Sequence, residues 1–294
     1  MLRLGKLYGK IKTKLKYHFL WKIQCLFARN TLFSFLLPDG SRFDYPINTA
    51  VGRLLFSGIF ETREIEFMRQ TLKQNDIFFD IGANGGIYTV IAAKQVGKNG
   101  HVYAFEPGER ELKLLRHNIA INNLTNVTVI ERGVSNEKGT AKFGISRDGA
   151  MNSLLKTNHP GQEIEEWQTI ETTTLDDIIQ EFNIKKVDFI KIDVEGAEKK
   201  VFEGSRNLLE SQDNVVILFE ASDLTAVRFG YTVNDFLKEL ISVNLIVYYF
   251  DKDGNILKLS QDKLRSKITG YNFIASKISF EDMLVDKTAV NEKS

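Results

Sequence analysis

Unbroken apolar runs alternate with helix-like segments through the middle of the chain. The run at 77–79 leads through Asp80 and Ile81 into a glycine-rich turn, residues 87–96 have the apolar content of a helix, and residues 101–106 form the next run. Continuous runs, rather than alternating ones, are typical of strands that are covered on both faces. The order strand, helix, strand therefore predicts parallel neighbours in an α/β sheet, joined by a right-handed crossover.

The same pattern continues along the chain. We predict further strands at 127–131, 187–193, 214–219, 245–250 and 271–275, and helices at 61–73, 109–120, 175–182, 195–209 and 233–240. Two short strands, 140–145 and 168–173, interrupt the series and predict a hairpin over the mouth of a pocket. Thr174 and Asp177 have the spacing of a helix-capping pair.

The N-terminal part differs from the rest in charge and pattern. Residues 1–30 carry eight Lys or Arg side chains and no acid, whereas the remaining chain has 31 basic and 38 acidic residues, a net charge of −7. Apolar positions recur every three to four residues within 2–27. This spacing predicts a basic amphipathic helix that lies either on an anionic membrane surface or on the body of the protein. Two short apolar segments around a turn at 38–41 predict a small hairpin.

Composition favours a folded protein of a reducing compartment. The chain of 294 residues is 43% hydrophobic, enough for a large core, and the single Cys25 excludes an internal disulfide. We expect no transmembrane segment and a cytoplasmic location, peripheral at the inner face of a membrane if residues 1–30 bind lipid. The acidic body disfavours nucleic acid as a partner. We divide the chain into the N-terminal helix and hairpin or lid (1–60), a main domain (61–276) and a polar tail (277–294).

A candidate ligand site lies where the first strand of the main domain meets its helix. Gly82 opens a turn whose backbone N–H groups can approach an anionic group at a helix start. Glu106 follows 24 residues later, near the spacing of about 20 at which a carboxylate binds ribose hydroxyls. A dinucleotide site needs glycine at the positions that Asn84 and Ile87 occupy here. Asp80 also suits the ammonium of a methionine moiety, so the pattern favours S-adenosylmethionine over a nicotinamide cofactor.

Three segments resemble the FkbM family of S-adenosylmethionine-dependent methyltransferases. They are residues 80–89, 105–107 and 190–198, in the family's order, and the resemblance extends over about residues 60–276. It implies a class I, Rossmann-like methyltransferase fold: an α/β protein with a seven-stranded, mostly parallel sheet and helices on both faces, here preceded by the basic amphipathic helix. It also implies S-adenosylmethionine as cofactor. The residues assigned to cofactor binding are Asp80, Gly82, Ala83, Asn84, Gly85, Tyr88, Thr89, Glu106, Pro107, Gly133 and Asp193.

Three carboxylates near the carboxyl ends of later strands are candidates for the reaction itself. Asp193 ends the fourth strand, Glu195 follows it, and Glu220 ends the fifth strand. Because these strands end at the same edge of the sheet as the first, a carboxylate there could take the proton of an acceptor hydroxyl or hold that hydroxyl in place. Asp193 could instead cap the helix that follows it. Asp193 and Glu220 together could also bind a divalent metal ion, but no third oxygen ligand is visible by spacing, so no metal ligands are assigned.

The family resemblance implies methyl transfer to a hydroxyl of a saccharide, glycolipid or glycosylated product. Two alternatives stay open. One is O-methylation of a soluble small metabolite, and the other is a non-catalytic module that binds S-adenosylmethionine as a structural ligand. The predicted partner is thus a hydroxyl-bearing acceptor, and residues 1–30 are the predicted contact with an anionic membrane.

Overall fold

The computed structural model describes residues 31–146, Asn152, Leu154, 164–264 and 272–280. The predicted N-terminal helix and residues 281–294 of the predicted tail lie outside the described residues. Among the helices in the described ranges, none has the length and apolar character needed to cross a membrane.

An eight-stranded sheet forms the centre of the fold. Its strands are β3 (Ile77–Ile81), β4 (His101–Phe105), β5 (Val127–Ile130), β9 (Phe189–Ile192), β10 (Val216–Glu220), β11 (Ile246–Phe250), β12 (Ile256–Lys258) and β13 (Asn272–Ser276). They lie in the order β12-β11-β13-β10-β9-β3-β4-β5. The five strands from β10 to β5 are parallel, and β13, β11 and β12 pair antiparallel. The predicted α/β fold is confirmed, although the sheet gains β12, a short and partly exposed edge strand without an apolar run.

Helices cover both faces of this sheet. They are α1 (Ala50–Ser57), α2 (Thr62–Thr71), α3 (Ile87–Val96), α4 (Glu109–Ile121), α5 (Leu175–Glu181), α6 (Glu198–Glu203), α7 (Arg206–Ser211), α8 (Asp223–Ala226), α9 (Val233–Ser242) and α10 (Gln261–Leu264). One face packs against α2 and α3, and the other against α5, α6 and α9. The Thr174 hydroxyl accepts a hydrogen bond from the Asp177 N–H, so the predicted cap of α5 is confirmed.

Alternation along the central strands decides which side chains share a face. Phe78 and Phe189 are buried on the side of α3. Asp80 and Lys191 lie two residues further along the same strands and pair with each other in register. Because side chains two residues apart in a strand point to the same face, Asp80 and Lys191 also lie on the α3 side. Glu220 ends β10 on that face, so the carboxyl ends of three strands bring charged groups together there.

The predicted N-terminal hairpin is confirmed as β1 (Leu32–Leu36) and β2 (Arg42–Pro46), which pair antiparallel. Phe43 and Tyr45 of β2 are buried in the core that also contains the side chains of α3. The N–H of Asp44 donates to Asn118 Oδ1 at 2.8 Å, and Asn118 Nδ2 donates to the carbonyl of Gly85 at 2.8 Å. The hairpin is therefore tied through α4 to the glycine turn.

A second, three-stranded sheet stands beside the main one. It consists of β6 (Gly133–Val134), β7 (Gly139–Ser146) and β8 (Ile164–Thr173), in the order β6-β8-β7. The long antiparallel pair β7 and β8 is the predicted hairpin, and both strands are longer than the sequence pattern indicated.

The single helix predicted at 195–209 is wrong, because α6 and α7 replace it. Glu195 and Gly196 have φ of 55° and 104°, left-handed values that exclude a helical start, so α6 begins only at Glu198. The break between the helices falls at Gly204, where a Cβ would lie 2.1 Å from the carbonyl oxygen of Ser135. Close approach of two backbones thus ends α6.

Candidate active site

The turn after β3 packs directly against the end of β9. Gly82 has φ of +81°, and a Cβ at this position would lie 1.9 Å from the carbonyl oxygen of Asp193, so only glycine fits. The N–H groups of Gly82 and Ala83 donate to the carbonyl of Phe105 at 3.0 and 2.9 Å. The turn therefore holds the carboxyl ends of β3, β4 and β9 at one point.

Glu106 is fixed at this edge by two backbone hydrogen bonds. Its Oε2 accepts from the N–H of Asn84 and its Oε1 from the N–H of Gly108, each at 2.8 Å. The residue is only 4% exposed. Burial, and then the charge of Glu111, raises the pKa of Glu106 to about 8. The carboxyl group is thus pre-oriented at the cavity wall and sensitive to what binds there.

An open cavity lies over the carboxyl edge of the central strands, the place where ligands bind in open α/β sheets. The β6–β8 sheet and the segment after β7 supply the wall opposite the glycine turn. The lining residues are Ile81, Gly82, Asn84, Phe105, Glu106, Pro107, Arg132, Gly133, Val134, Phe143, Asn152, Leu154, Asp193, Val194 and Glu195.

Asn152 gives this opposite wall a polar group that is suited to a ligand. Its Oδ1 accepts from the N–H of Ser146 at 2.8 Å. Its Nδ2 is buried and has no hydrogen-bond partner within the described part of the chain. A buried donor without a partner costs about 1–3 kcal/mol, so a ligand acceptor at this position would be stabilising.

Asp193 borders the cavity on one side and a group of charged side chains on the other. Glu61, Asp193 and Glu220 each present a carboxylate oxygen, and these oxygens lie within 4.8 Å of one another. We name these three residues the carboxylate cluster. The Nζ atom of Lys191 lies 3.2 Å from Asp193 Oδ2, and the lysine is 2% exposed. A buried ammonium group therefore lies beside the cluster.

Mutual charge and burial shape the protonation of this group. Burial first, and then the charge of Asp193, raises the pKa of Glu220 to about 8. Burial likewise raises the pKa of Glu61. Burial would lower the pKa of Lys191, but the neighbouring carboxylates, led by Asp193, raise it instead. Lys191 is consequently a permanent cation.

Glu61 reaches the cluster from the residue just before α2. Its backbone has φ of 34° and ψ of 46°, a left-handed conformation that is costly for a residue other than glycine. Its Oε2 accepts a hydrogen bond from the Tyr88 hydroxyl at 2.5 Å. The ring centroid of Tyr88 lies 5.0 Å from Lys191 Nζ, so the tyrosine contacts both charges.

The loop between β9 and α6 holds Asp193 and Glu195 at the cavity. A Cβ on Gly196 would lie 2.7 Å from the carbonyl oxygen of Thr225, which fixes the path of this loop. Glu198 Oε1 accepts from the N–H groups of Gly196 and Val194 at 3.0 and 3.3 Å. Glu198, not Asp193, therefore serves the helix start, and the alternative that Asp193 caps the helix is wrong. Burial, and then the charge of Asp193, raises the pKa of Glu195.

The predicted site residues divide into a group that lines the cavity, a buried group that does not line it, and Glu220. Those that line the cavity are Gly82, Asn84, Glu106, Pro107, Gly133, Asp193 and Glu195. Those that are buried behind its wall are Asp80, Ala83, Gly85, Tyr88 and Thr89. Among the latter, Asp80 accepts a hydrogen bond from the Thr89 hydroxyl, and burial raises its pKa to about 6. Glu220 does not line the cavity and instead joins Asp193 in the carboxylate cluster.

Sequence reasoning missed Glu61, Lys191 and the residues contributed by the β7–β8 excursion. Glu61 supplies the third carboxylate that no spacing in the sequence indicated. Lys191 was visible as a charged residue inside a buried apolar strand, which is itself a signal of function. Three carboxylates at this spacing could surround a divalent cation, but the Lys191 ammonium already supplies positive charge there. We therefore assign no metal ligands.

Comparison with known proteins bears on this site. The FkbM methyltransferase domain matches residues 80–247, more than half of the chain. Hexuronic acid methyltransferase AglP of Haloferax volcanii is 27% identical over 157 residues, which cover 53% of this chain and 61% of that protein. The chain thus spans less than two thirds of this relative's length.

Two further proteins carry the FkbM name. The 31-O-demethyl-FK506 methyltransferase FkbM of Streptomyces tacrolimicus is 27% identical over 194 residues, which cover 57% of this chain and 74% of that protein. The crystal structure of a methyltransferase FkbM from Methylobacillus flagellatus KT aligns with a TM-score of 0.43 and 14% identity, over 93% of this chain and 57% of that one.

The matched region begins at Asp80, at the start of the glycine turn, and includes Glu106 and Asp193 at the cavity wall. The fold built around that turn is the open α/β sheet in which ligands bind at the carboxyl ends of the strands. The chain therefore belongs to the FkbM methyltransferase family.

Proposed function

We propose that this protein transfers the methyl group of S-adenosylmethionine to a hydroxyl of a saccharide, glycolipid or glycosylated product. The observation that carries the proposal is the position of Asp193. It borders the cavity that begins at the glycine turn, and it also belongs to the carboxylate cluster. If the cofactor lies on one side of Asp193 and the acceptor hydroxyl on the other, the methyl group and the hydroxyl come together.

The residues at the cavity fit this cofactor. Glu106 is a buried carboxyl group suited to the two hydroxyls of a ribose. Asn152 Nδ2 is a buried donor with no partner in the described ranges, suited to an acceptor nitrogen of the adenine. Gly82 lets the backbone come close to the methionine moiety. Asp80, beneath the turn, is proposed to favour the methionine ammonium.

S-adenosylmethionine supplies an activated methyl group, so the task of the protein is alignment and removal of one proton. The acceptor oxygen forms a bond to the methyl carbon while the carbon–sulfur bond breaks and its electron pair stays on sulfur. Asp193 is proposed to hold the acceptor hydroxyl and to take its proton as the bond forms. Glu220 and Glu195 are the further candidates for that proton.

The relatives support a hydroxyl-bearing acceptor. One is named as a methyltransferase of hexuronic acid and the other as a methyltransferase of a 31-O-demethyl product. The second name specifies an oxygen as the position of methylation. The acceptor of this chain, and the position of its hydroxyl, are proposed only at that level.

Mass spectrometry of glycans from cells with and without the protein tests this proposal. We expect one product heavier by a methylene in cells that contain the protein. Asp193→Asn removes the product while S-adenosylhomocysteine binding, measured by calorimetry, is retained. The matched control is Asp213→Asn, because Asp213 is 74% exposed in a surface pair with Lys277.

Other results would favour the alternatives. Methylation found only on a soluble small molecule would replace the saccharide acceptor by a metabolite. Cofactor binding without methylation of any extracted glycan or metabolite would favour a non-catalytic module.

Residues 1–30 are proposed to bring the enzyme to an anionic membrane surface. Their eight basic side chains and the absence of acids support this idea, because anionic lipids attract basic amphipathic segments. Co-sedimentation with vesicles that contain phosphatidylserine should be lost on deletion of these residues and weakened by salt. Equal sedimentation of the full and shortened proteins would refute the proposal.

A further inference from the structure

Lys191 is the most unusual charged residue of the fold. It lies in β9, between β3 and β10 in the parallel part of the sheet, and it is 2% exposed. Removing an ammonium group from water is strongly unfavourable unless opposite charges compensate. Apolar packing alone therefore cannot stabilise a lysine in this strand, and nearby negative charges must compensate its burial.

Charged groups from several elements face this ammonium. They are Asp80 of β3, Asp193 after β9, Glu220 of β10 and Glu61 before α2. Asp193 makes the direct ion pair, at 3.2 Å. On the remaining side, the Tyr88 ring of α3 covers Lys191 Nζ with its centroid at 5.0 Å, while its hydroxyl holds Glu61.

The three members of the carboxylate cluster would repel one another without a cation. Their oxygens converge to within 4.8 Å, a distance at which like charges strongly disfavour joint ionisation. Glu61 even adopts a left-handed backbone at this position. Many proteins bring carboxylates together around a divalent metal ion. Here the chain places an ammonium group from its own central strand beside them.

We propose that Lys191 is a positioning residue for methyl transfer: its ammonium is the built-in cation that holds the carboxylate cluster together on the acceptor side of the cavity. This inference rests on the proposed function, because the cluster is the proposed acceptor side. Lys191 acts through Asp193, whose carboxylate it orients toward the acceptor hydroxyl. The cluster then needs no divalent metal ion.

Metal binding gives a direct test that requires no acceptor. Electron paramagnetic resonance with Mn²⁺ is measured on the full chain loaded with S-adenosylhomocysteine, first in the wild type and then in Lys191→Ala. We expect no Mn²⁺ site in the wild type and one new site in Lys191→Ala, because removal of the ammonium leaves three carboxylates and space between them. Glu220→Gln in the Lys191→Ala background should abolish the new site.

Methyl transfer gives the second readout. Lys191→Met keeps most of the side-chain volume and removes the charge, so the cluster oxygens move apart. We expect kcat to fall about 100-fold, as a displacement of about 1 Å in a reacting group can cause, with unchanged affinity for S-adenosylhomocysteine. Lys238→Met is the control for loss of one lysine, since Lys238 is 56% exposed in a surface pair with Asp235.

The outcomes separate the two proposals. A wild-type Mn²⁺ site that is lost in Asp193→Asn would overturn the role of Lys191, and this measurement does not depend on whether any Lys191 variant folds. Equal kcat in Lys191→Met and wild type would also overturn it. Absence of methyl transfer in the wild type, together with the expected Mn²⁺ results, would refute the proposed acceptor chemistry and leave the built-in cation supported.

Discussion

The pH dependence of ribose binding follows from the buried carboxyl of Glu106. Its pKa of about 8 means that the group is largely protonated at pH 7 in the free protein. A ribose that donates hydrogen bonds from two hydroxyls to Glu106 favours the ionised form of this carboxyl group. Binding at pH 7 should therefore expel the proton of Glu106, and affinity should rise with pH.

The size of the effect follows from this pKa. At pH 7 the protonated fraction is about 0.9, so binding should release about 0.9 proton, and affinity should fall by up to about tenfold between pH 9 and pH 7. Asp80, with a pKa of about 6, adds to the effect only at lower pH.

The assay uses 5′-methylthioadenosine, which carries the adenosine but neither the amino nor the carboxyl group of the methionine moiety. Calorimetry at pH 7 in buffers of different ionisation enthalpy gives the number of protons released. Glu106→Gln serves as the comparison, because glutamine cannot ionise and occupies nearly the same volume. Its affinity should be weaker at pH 9 and nearly independent of pH between 7 and 9.

Two results would refute this reasoning. The first is wild-type binding that is flat from pH 7 to 9 with no proton release. The second is the same proton release in Glu106→Gln, which would assign the proton to another group, such as Glu198 or Glu220, whose pKa values are about 7 and about 8.

Three further outcomes are expected. Gly82→Ala should lower the free energy of unfolding, measured in urea, by about 3 kcal/mol or more, because the added Cβ meets the Asp193 carbonyl. The control is Gly230→Ala, at a glycine that is also left-handed but lies in open space, and it should cost only about 1 kcal/mol. Equal losses in the two variants would contradict the close contact at Gly82. Asn152→Ala should weaken S-adenosylhomocysteine binding about tenfold in calorimetry, since the free amide donor is lost. It should also lower the free energy of unfolding by about 1–3 kcal/mol, because the Ser146 N–H loses its acceptor. Unchanged affinity would exclude the contact with the ligand. The buried carboxyl groups Asp80, Glu106, Glu198 and Glu220 have pKa values in the folded protein above those in the unfolded chain. Their contribution to the free energy of unfolding should therefore be largest below about pH 4.5 and should decline as the pH rises to 8, which urea melts of the free protein can measure. No decline would refute the raised pKa values.

Much of the fold was predictable because its signals are local. Continuous apolar runs fixed the strands around Asp80 and Asp193, and the glycine turn with Glu106 indicated an adenosine site. The helix predicted at 195–209 failed for a tertiary reason. Its first residues follow a left-handed path against Thr225, and its middle is interrupted where Gly204 meets the backbone of Ser135.

The sequence by itself determined the fold class, the cofactor and the carboxyl edge where the site lies, because apolar runs and motif spacings can be identified in one short stretch at a time. Only the tertiary structure brought Glu61 to Asp193 and Glu220, since these residues belong to separate elements whose distance depends on packing. The same packing buries Lys191 beside them and makes the Asn152 amide part of the cavity wall. Electrostatic contacts between separate elements produce no periodic pattern in a sequence. For that reason only the tertiary structure revealed the carboxylate cluster on the proposed acceptor side of the cavity.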